Sequence, residues 1–272
     1  MKQIEESNEE AMTSLKHMTS FWDNHVNGWL NGNNALSDPL DGWFKSYAGK
    51  GRGEVTLEGM PEPWIGDLTS PERARLVILG LNPGDYRPAF QSRIGIYAEQ
   101  VRELGSYTQW AAKNPYLLEP WKKEFGINRY HLARQQFAHR WLGDPDVQDV
   151  PESAVVLLEL YPWHSTGVTG LMRPDRDIIQ RFVLDPIAEL SNVRDVFAFG
   201  KPWSSRLENL GLPLIDKLGN GIDERDYGSS VASRSLRVYQ LQCGKRIIVE
   251  WHSGSAGPPS AKETALLKAA LA

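Results

Sequence analysis

Several features that mark other protein classes are scarce or missing in this 272-residue chain. A single cysteine, Cys243, excludes an internal disulfide framework and any metal or iron–sulfur site built from cysteines alone. No run of about 18 apolar residues occurs, and the acidic N-terminus lacks the apolar core of a signal peptide. We therefore expect a cytoplasmic protein that has no membrane partner.

The chain also lacks an excess of positive charge, since its formal net charge is −4. This balance disfavours a nucleic-acid partner only mildly, because an enzyme can confine its basic groups to one groove. No Gly-Lys-Ser/Thr sequence follows the glycine-rich turn near residue 80, which excludes a P-loop, and no Gly-x-Ser-x-Gly or Cys–His arrangement indicates acyl transfer. No cofactor and no metal site are expected.

What the sequence does contain is a short apolar run at residues 75–80 that ends in Gly80-Leu81-Asn82-Pro83-Gly84. The run is too short for a helix and predicts a buried parallel strand. The turn cannot continue a strand or a helix. Asn82 is therefore expected at the carboxyl end of a core strand, where open α/β sheets bind their ligands.

Further strands are predicted at residues 154–160 and 193–199, and a hairpin around Cys243-Gly244 at residues 235–251. Helices are predicted over residues 1–30, from about residue 175, from Asp185-Pro186 as N-cap and first helical residue, and from a capping box at Ser260. This alternation predicts an α/β fold with three layers, α/β/α, around a mostly parallel four-stranded sheet.

We expect residues 1–272 to form a single domain, and a monomer. Within it, residues 1–72 are an N-terminal extension or arm with few strong elements after the first helix, and residues 91–143 are a helical insertion. Four strands end in loops of unusual composition: GLNPGDY, ELYPWHS, FGKPWSS and WHSGSAGPPS. In a parallel sheet these loops fall on one edge, so they can converge on one site.

The turn at Gly80–Gly84 and the strand that ends in His252-Ser253-Gly254-Ser255 resemble the two signature motifs of the uracil-DNA glycosylase superfamily. The first motif is most similar to the mismatch-specific (thymine/uracil) branch, and FAFGKPW fits the order of the family. The resemblance covers residues 75–272 in outline. It implies an enzyme that binds DNA, flips a base out of the duplex and hydrolyses the bond between base and sugar.

The resemblance also implies roles for particular residues. Asn82 matches the residue that positions the attacking water, and His252 matches the histidine that donates to the leaving base. Residues 253–255 (Ser253, Gly254 and Ser255) are placed to hold a flanking phosphate. The alternatives from the residues alone are a turn-forming Asn82, a structural His252 and a plain Gly/Ser turn.

Two departures from the family's pattern bear on the substrate. Strict uracil enzymes have a tyrosine that blocks the C5 side of the base, and here that position is Gly84, which the turn itself also favours. Glu159 stands where many members carry a base-reading asparagine; an ionised Glu only accepts hydrogen bonds, which suits the N4 amino group of cytosine. Alternatively, Glu159 pairs with an arginine, or the match to the family's asparagine is out of register by one or two residues. Together the departures indicate a 5-substituted cytosine, such as glucosylated hydroxymethylcytosine in phage DNA, and a role in antiviral defence.

Other candidates follow from position alone. Asp85 could assist Asn82 or serve as a helix N-cap, and Tyr86 could stack on the flipped base. Trp163 and His164 follow the second strand, where they could line the pocket, and His164 has no metal-ligand neighbours. The residues that could contact phosphates, or else be plain surface charges, are Lys201, Arg173, Arg176 and Arg93.

Three other functions remain open at this point. One is repair of uracil or thymine mismatches, which the closest motif match would suit. Another is a catalytically silent module that binds nucleic acid or a nucleotide. The third is a hydrolase of free nucleosides, which would show no salt-dependent affinity for DNA.

Overall fold

A computed structural model describes residues 13–48, 53–143, 150–167, 173–215, 234–252 and 257–271, with the backbone alone for Arg234, Ser235, His252 and Ala270. These ranges form a seven-stranded mixed sheet that has core side chains and helices on both faces. The predicted α/β class is confirmed. The sheet is larger than the predicted four-stranded one: a two-residue strand extends one edge, and the first arm of the hairpin and a second two-residue strand extend the other.

The strands are β1 (Trp64–Ile65), β2 (Leu76–Gly80), β3 (Val155–Glu159), β4 (Asp195–Phe199), β5 (Leu214–Ile215), β6 (Arg234–Gln240) and β7 (Arg246–His252). Their order in the sheet is β1-β3-β2-β4-β7-β6-β5. The neighbours β3, β2, β4 and β7 are parallel, whereas β1, β6 and β5 pair antiparallel. The hairpin predicted around Cys243-Gly244 is confirmed as β6–β7.

The helices are α1 (Ser14–Leu30), α2 (Leu40–Lys45), α3 (Pro88–Gln91), α4 (Ile96–Leu104), α5 (Tyr107–Ala111), α6 (Trp121–Phe125), α7 (Arg129–Leu142), α8 (Arg176–Ile179), α9 (Asp185–Glu189), α10 (Lys201–Asn209) and α11 (Ala261–Leu271). Short 3₁₀ turns lie at Pro71–Arg73, Pro115–Leu117 and Glu152–Ala154. The capping box of α11 is confirmed, since Ser260 N donates to Glu263 Oε2 (2.6 Å) and Glu263 N donates to Ser260 Oγ (3.4 Å).

The α-helical segment predicted from Asp185-Pro186 is present as α9, but the prediction that Asp185 is its N-cap is wrong. The helical backbone runs on from α8 through a π-turn at Gln180–Leu184 into α9. Asp185 has helical φ and ψ angles of −64° and −46°, so it is not an N-cap. Pro186 has no N–H to donate within a helix, and the wider π-turn lies directly before it.

Each face of the sheet has its own core. Alternate residues of β2 point to opposite sides, so Val77 joins a core that contains Trp22 of α1 and Trp43 of α2, while Ile78 joins a second core with Phe137 of α7. The described part of the N-terminal extension therefore packs on the sheet. Within the described ranges, no helix combines the length and apolar character needed to cross a membrane.

Candidate functional site at the carboxyl edge of the sheet

The loops that follow the parallel strands share one edge of the sheet. Asn82 follows β2, His164 and Ser165 follow β3, Lys201 follows β4, and His252 is the last residue of β7. Because β3, β2, β4 and β7 are parallel, all of these residues leave the sheet on the same side. The side chain of His252 and all of Ser253, Gly254 and Ser255 lie outside the described residues, so their predicted roles stay predictions.

Asn82 is buried, with 6% of its surface exposed, and its amide has a fixed orientation. The hydroxyl of Ser165 donates to the carbonyl of Gly167 (2.9 Å), so its oxygen is left to accept from Asn82 Nδ2 at 2.7 Å. The amide nitrogen of Asn82 therefore faces Ser165. Within the described residues, no hydrogen bond is donated to Asn82 Oδ1, which remains able to accept one from a water molecule.

Gly84 completes the turn in a left-handed conformation, with φ of +87°. Its carbonyl accepts from the backbone N–H of Ser165 (3.0 Å) and lies 3.2 Å from His164 Nδ1. A Cβ placed on Gly84 would meet no atom within 4 Å. The backbone conformation alone accounts for glycine here, and the space beside it is open.

A cavity of about 700 Å³ lies beside this turn. Asp85, Tyr86, His164 and Ser165 line one part of it, and residues 53–56, Glu58 and Thr166 line the rest. Tyr86 is partly buried, and burial together with the charge of Glu58 raises the pKa of its hydroxyl, against a hydrogen bond with Ser92 that lowers it. Asp85 is half exposed and lies 3.7 Å from Arg87, and it does not cap a helix.

His164 is completely buried beneath the cavity, and both of its ring nitrogens face oxygen atoms. Nδ1 lies 3.2 Å from the Gly84 carbonyl, and Nε2 lies 3.1 Å from the Met60 carbonyl and 3.3 Å from Glu62 Oε1. Tight packing fixes the ring further, since a Cβ on Gly59 would come within 2.8 Å of it. His164 thus contacts the Gly80–Gly84 turn from the buried side, through the Gly84 carbonyl.

Glu159 lies on the α7 face of the sheet and is not among the residues that line this cavity. Tyr130 of α7 donates to its Oε1 (3.1 Å), and its Oε2 is buried without a hydrogen-bond partner among the described residues. Burial raises the pKa of Glu159 to about 7, against the opposing effects of Arg134 and of the Tyr130 hydrogen bond. Glu159 thus lies within the electrostatic influence of Arg134, and one of its two carboxylate oxygens is enclosed without a hydrogen-bond partner among the described residues.

Two of the remaining candidate residues, Trp163 and Arg93, have structural roles. Trp163 is 1% exposed and packs edge-on against Trp43 (5.8 Å between ring centroids), in the first core and away from the cavity lining. Arg93 donates from Nε to the Trp29 carbonyl (2.7 Å) and also binds Asn34. Both side chains have packing or bonding partners that account for their positions.

Lys201 and Arg173 are exposed, and Lys201 borders a second groove of about 420 Å³. This groove lies between α10 and the end of β7, and Trp251 forms one wall. Arg176 donates to the Leu210 carbonyl at 3.4 Å. Within the described part of the chain, no group of three or more His, Cys, Asp or Glu residues is arranged to hold a metal ion.

Sequence reasoning missed two residues that shape this site. Ser165 orients Asn82. Its position directly after His164, in the same strand-end loop, is the feature of the sequence that could have identified it as a site residue. Glu62 lies 20 residues before Asn82 and carries no local signal beyond its place between two prolines. Its contact with His164 depends on tertiary structure.

No protein-family model, curated protein or solved structure matches this chain.

Proposed function

We propose that the protein is a monofunctional DNA glycosylase of the uracil-DNA glycosylase type, which flips a modified base out of DNA and hydrolyses its N-glycosidic bond. The observation that carries this proposal is the fixed amide of Asn82, whose nitrogen is held by Ser165 and whose oxygen is left to accept. A run of parallel strands with helices on both faces supports the same assignment.

In the proposed reaction, Asn82 Oδ1 accepts a hydrogen bond from a water molecule and holds it against C1′ of the flipped nucleotide. The water oxygen bonds to C1′ as the bond to the base breaks, and the base leaves with the electron pair. The attacking water then loses a proton to solvent and becomes the C1′ hydroxyl, while the base anion takes up a proton. A neutral amide is a weak base, so Asn82 contributes by orienting the water rather than by removing its proton early. By resemblance, His252 donates to the leaving base, which spreads the developing negative charge.

The proposed substrate is a cytosine with a large substituent at C5, such as glucosylated hydroxymethylcytosine in phage DNA, and the proposed role is antiviral defence. Gly84 carries no side chain that would block such a substituent, and the space beside it is open. Glu159 is the proposed base reader: Oε2 has no partner among the described residues, and either protonation state can accept from the N4 amino group. Lys201 and Arg173 are proposed to contact phosphates.

The deciding experiment measures abasic sites formed by the purified protein in two DNAs, one carrying glucosylated hydroxymethylcytosine and one carrying uracil. Release from the modified DNA is expected, at a rate that exceeds release from uracil DNA. Release from uracil DNA alone would assign the protein to mismatch repair, and release from neither would remove the glycosylase assignment. Undiminished release by Glu159→Gln would contradict the base-reading role.

A further inference from the structure

The segment that carries Asn82 is held at two points by one buried network. We call residues 82–87 the Asn82 loop. Near its start, the Gly84 carbonyl faces Nδ1 of His164 at 3.2 Å. At its end, the backbone N–H of Arg87 donates to Oε1 of Gln91 at 2.6 Å. Between these two points lie Asp85 and Tyr86, which line the cavity.

The two side chains that contact the loop, His164 and Gln91, both contact the carboxylate of Glu62, which is 2% exposed. Nε2 of His164 lies 3.3 Å from its Oε1, and Nε2 of Gln91 donates to the same oxygen at 3.2 Å. The hydroxyl of Tyr116 lies 2.6 Å from Oε1 and 2.7 Å from Oε2. One buried acceptor group is thus shared by the side chains that hold the two ends of the Asn82 loop.

We propose that Glu62 is a positioning residue for base excision, which keeps the Asn82 loop in its reactive geometry through His164 at one end and Gln91 at the other. This inference rests on the proposed function. Glu62 acts through other residues and does not contact the substrate. A buried carboxylate suits this task, because it accepts several hydrogen bonds at once and those bonds are stronger than bonds between neutral groups.

Glu62→Gln tests the proposal with little change in volume. The amide that replaces one oxygen can only donate, so it opposes at least one of the donors around it. On the DNA from which the wild type releases a base, the single-turnover rate is expected to fall about 10- to 100-fold, since small misplacements of a reacting group cost this much. Affinity for the same DNA is expected to change less than about twofold, because Glu62 is buried and has almost no surface for DNA to contact.

Two further variants separate positioning from a loss of folding. Tyr116→Phe removes only the hydroxyl, and we expect a decrease of about 3- to 10-fold in rate. Asp195→Asn is the matched control, because Asp195 is also buried and binds Arg246 Nε (2.8 Å), but at the amino ends of β4 and β7, on the opposite edge of the sheet. Its rate is expected to stay within about twofold of wild type. If Glu62→Gln and Asp195→Asn lowered the single-turnover rate by the same factor, the proposal would be overturned.

A second readout does not depend on activity. The side-chain amide signal of Asn82 in a ¹H–¹⁵N NMR spectrum is identified by its loss in Asn82→Asp. Glu62→Gln is expected to shift this signal and speed its hydrogen exchange, whereas Asp195→Asn leaves it in place. An unmoved signal would overturn the positioning role even if the enzyme is active. A moved signal in a protein that releases no base would support positioning and reject the proposed function.

Discussion

The side-chain nitrogen of Asn82 lies 2.7 Å from the hydroxyl oxygen of Ser165, and the proton of that hydroxyl is directed to the Gly167 carbonyl. This chain of hydrogen bonds runs in one direction only, so it determines which end of the Asn82 amide faces Ser165. Ser165 thus determines that the nitrogen of the Asn82 amide, and not its oxygen, points toward it.

Ser165→Ala removes the nearer of the two acceptors of the Asn82 amide, and the Ser165 carbonyl at 3.5 Å remains. We expect base release under single-turnover conditions to slow about 10-fold, because this longer contact holds the amide less firmly against the water. DNA affinity should be unchanged. Ser46→Ala is the control, since Ser46 Oγ also donates to a carbonyl, that of Trp43 (2.6 Å), at the end of α2. Equal rates for Ser165→Ala and wild type would contradict the orienting role.

Gly80→Ala is expected to destabilise the fold. A Cβ at this position would lie 2.2 Å from Glu159 Oε2, so the buried carboxylate must move. We expect a loss of about 1–3 kcal/mol in the free energy of unfolding, measured by urea denaturation.

Gly42→Ala is the matched control for Gly80→Ala. Gly42 lies within α2, and a Cβ there would meet no atom within 4 Å. Because alanine is favoured over glycine inside a helix, the free energy of unfolding is expected to increase by about 0.5–1 kcal/mol. If the two variants had the same stability, the packing of Glu159 over β2 would not be as described.

The raised pKa of Glu159 should make the free energy of unfolding depend on pH. Burial raises its pKa from 4.5 to about 7. Between these values the folded protein keeps a proton that the unfolded chain has released, so the free energy of unfolding falls as the pH rises through this range and levels off above it. Relative to Glu159→Gln, the wild type should lose roughly 3 kcal/mol between about pH 4 and about pH 8.

The comparison with Glu159→Gln cancels other ionisations, including those of His25 and His131, whose pKa values burial lowers to about 4 and about 3. Chemical denaturation at a series of pH values supplies the measurement. If the stability of the wild type relative to Glu159→Gln did not change with pH, the pKa of Glu159 would be the same in the folded and unfolded protein; if it increased with pH, folding would lower that pKa. Either result would contradict the prediction.

Lys201 and Arg93 should behave differently in DNA binding, although the sequence marks both as candidates for phosphate contacts. Lys201→Ala should reduce the slope of log affinity against log salt by about one, since one phosphate contact is lost. Arg93→Ala should leave the slope unchanged and lower stability instead, because Arg93 binds the Trp29 carbonyl and Asn34. Fluorescence anisotropy at several salt concentrations separates these outcomes.

The central strands could be predicted from sequence because each is a short apolar run that ends at a glycine, proline or polar turn. Residues 75–80 were predicted as a strand, and β2 spans Leu76–Gly80, buried throughout. The two-residue strands β1 and β5 were missed because so short a strand has no periodicity, and only pairing with β3 and β6 defines it.

The candidate site was predictable only in part, and the reason is physical. Asn82 was found because a local turn places it at a strand end. Glu62 was missed because its partners Gln91, Tyr116 and His164 come from distant parts of the chain. Trp163 adjoins His164 in sequence, yet its side chain packs in the core, because the position of a residue in a loop does not determine which way its side chain points.

The most direct test is to compare Asn82→Ala with wild type, measuring both abasic-site formation in DNA that carries glucosylated hydroxymethylcytosine and affinity for that DNA. If Asn82 holds the attacking water, the variant should release the base at least about 100-fold more slowly while its DNA affinity stays within about twofold of wild type. A variant that releases the base as fast as wild type would contradict the proposed mechanism.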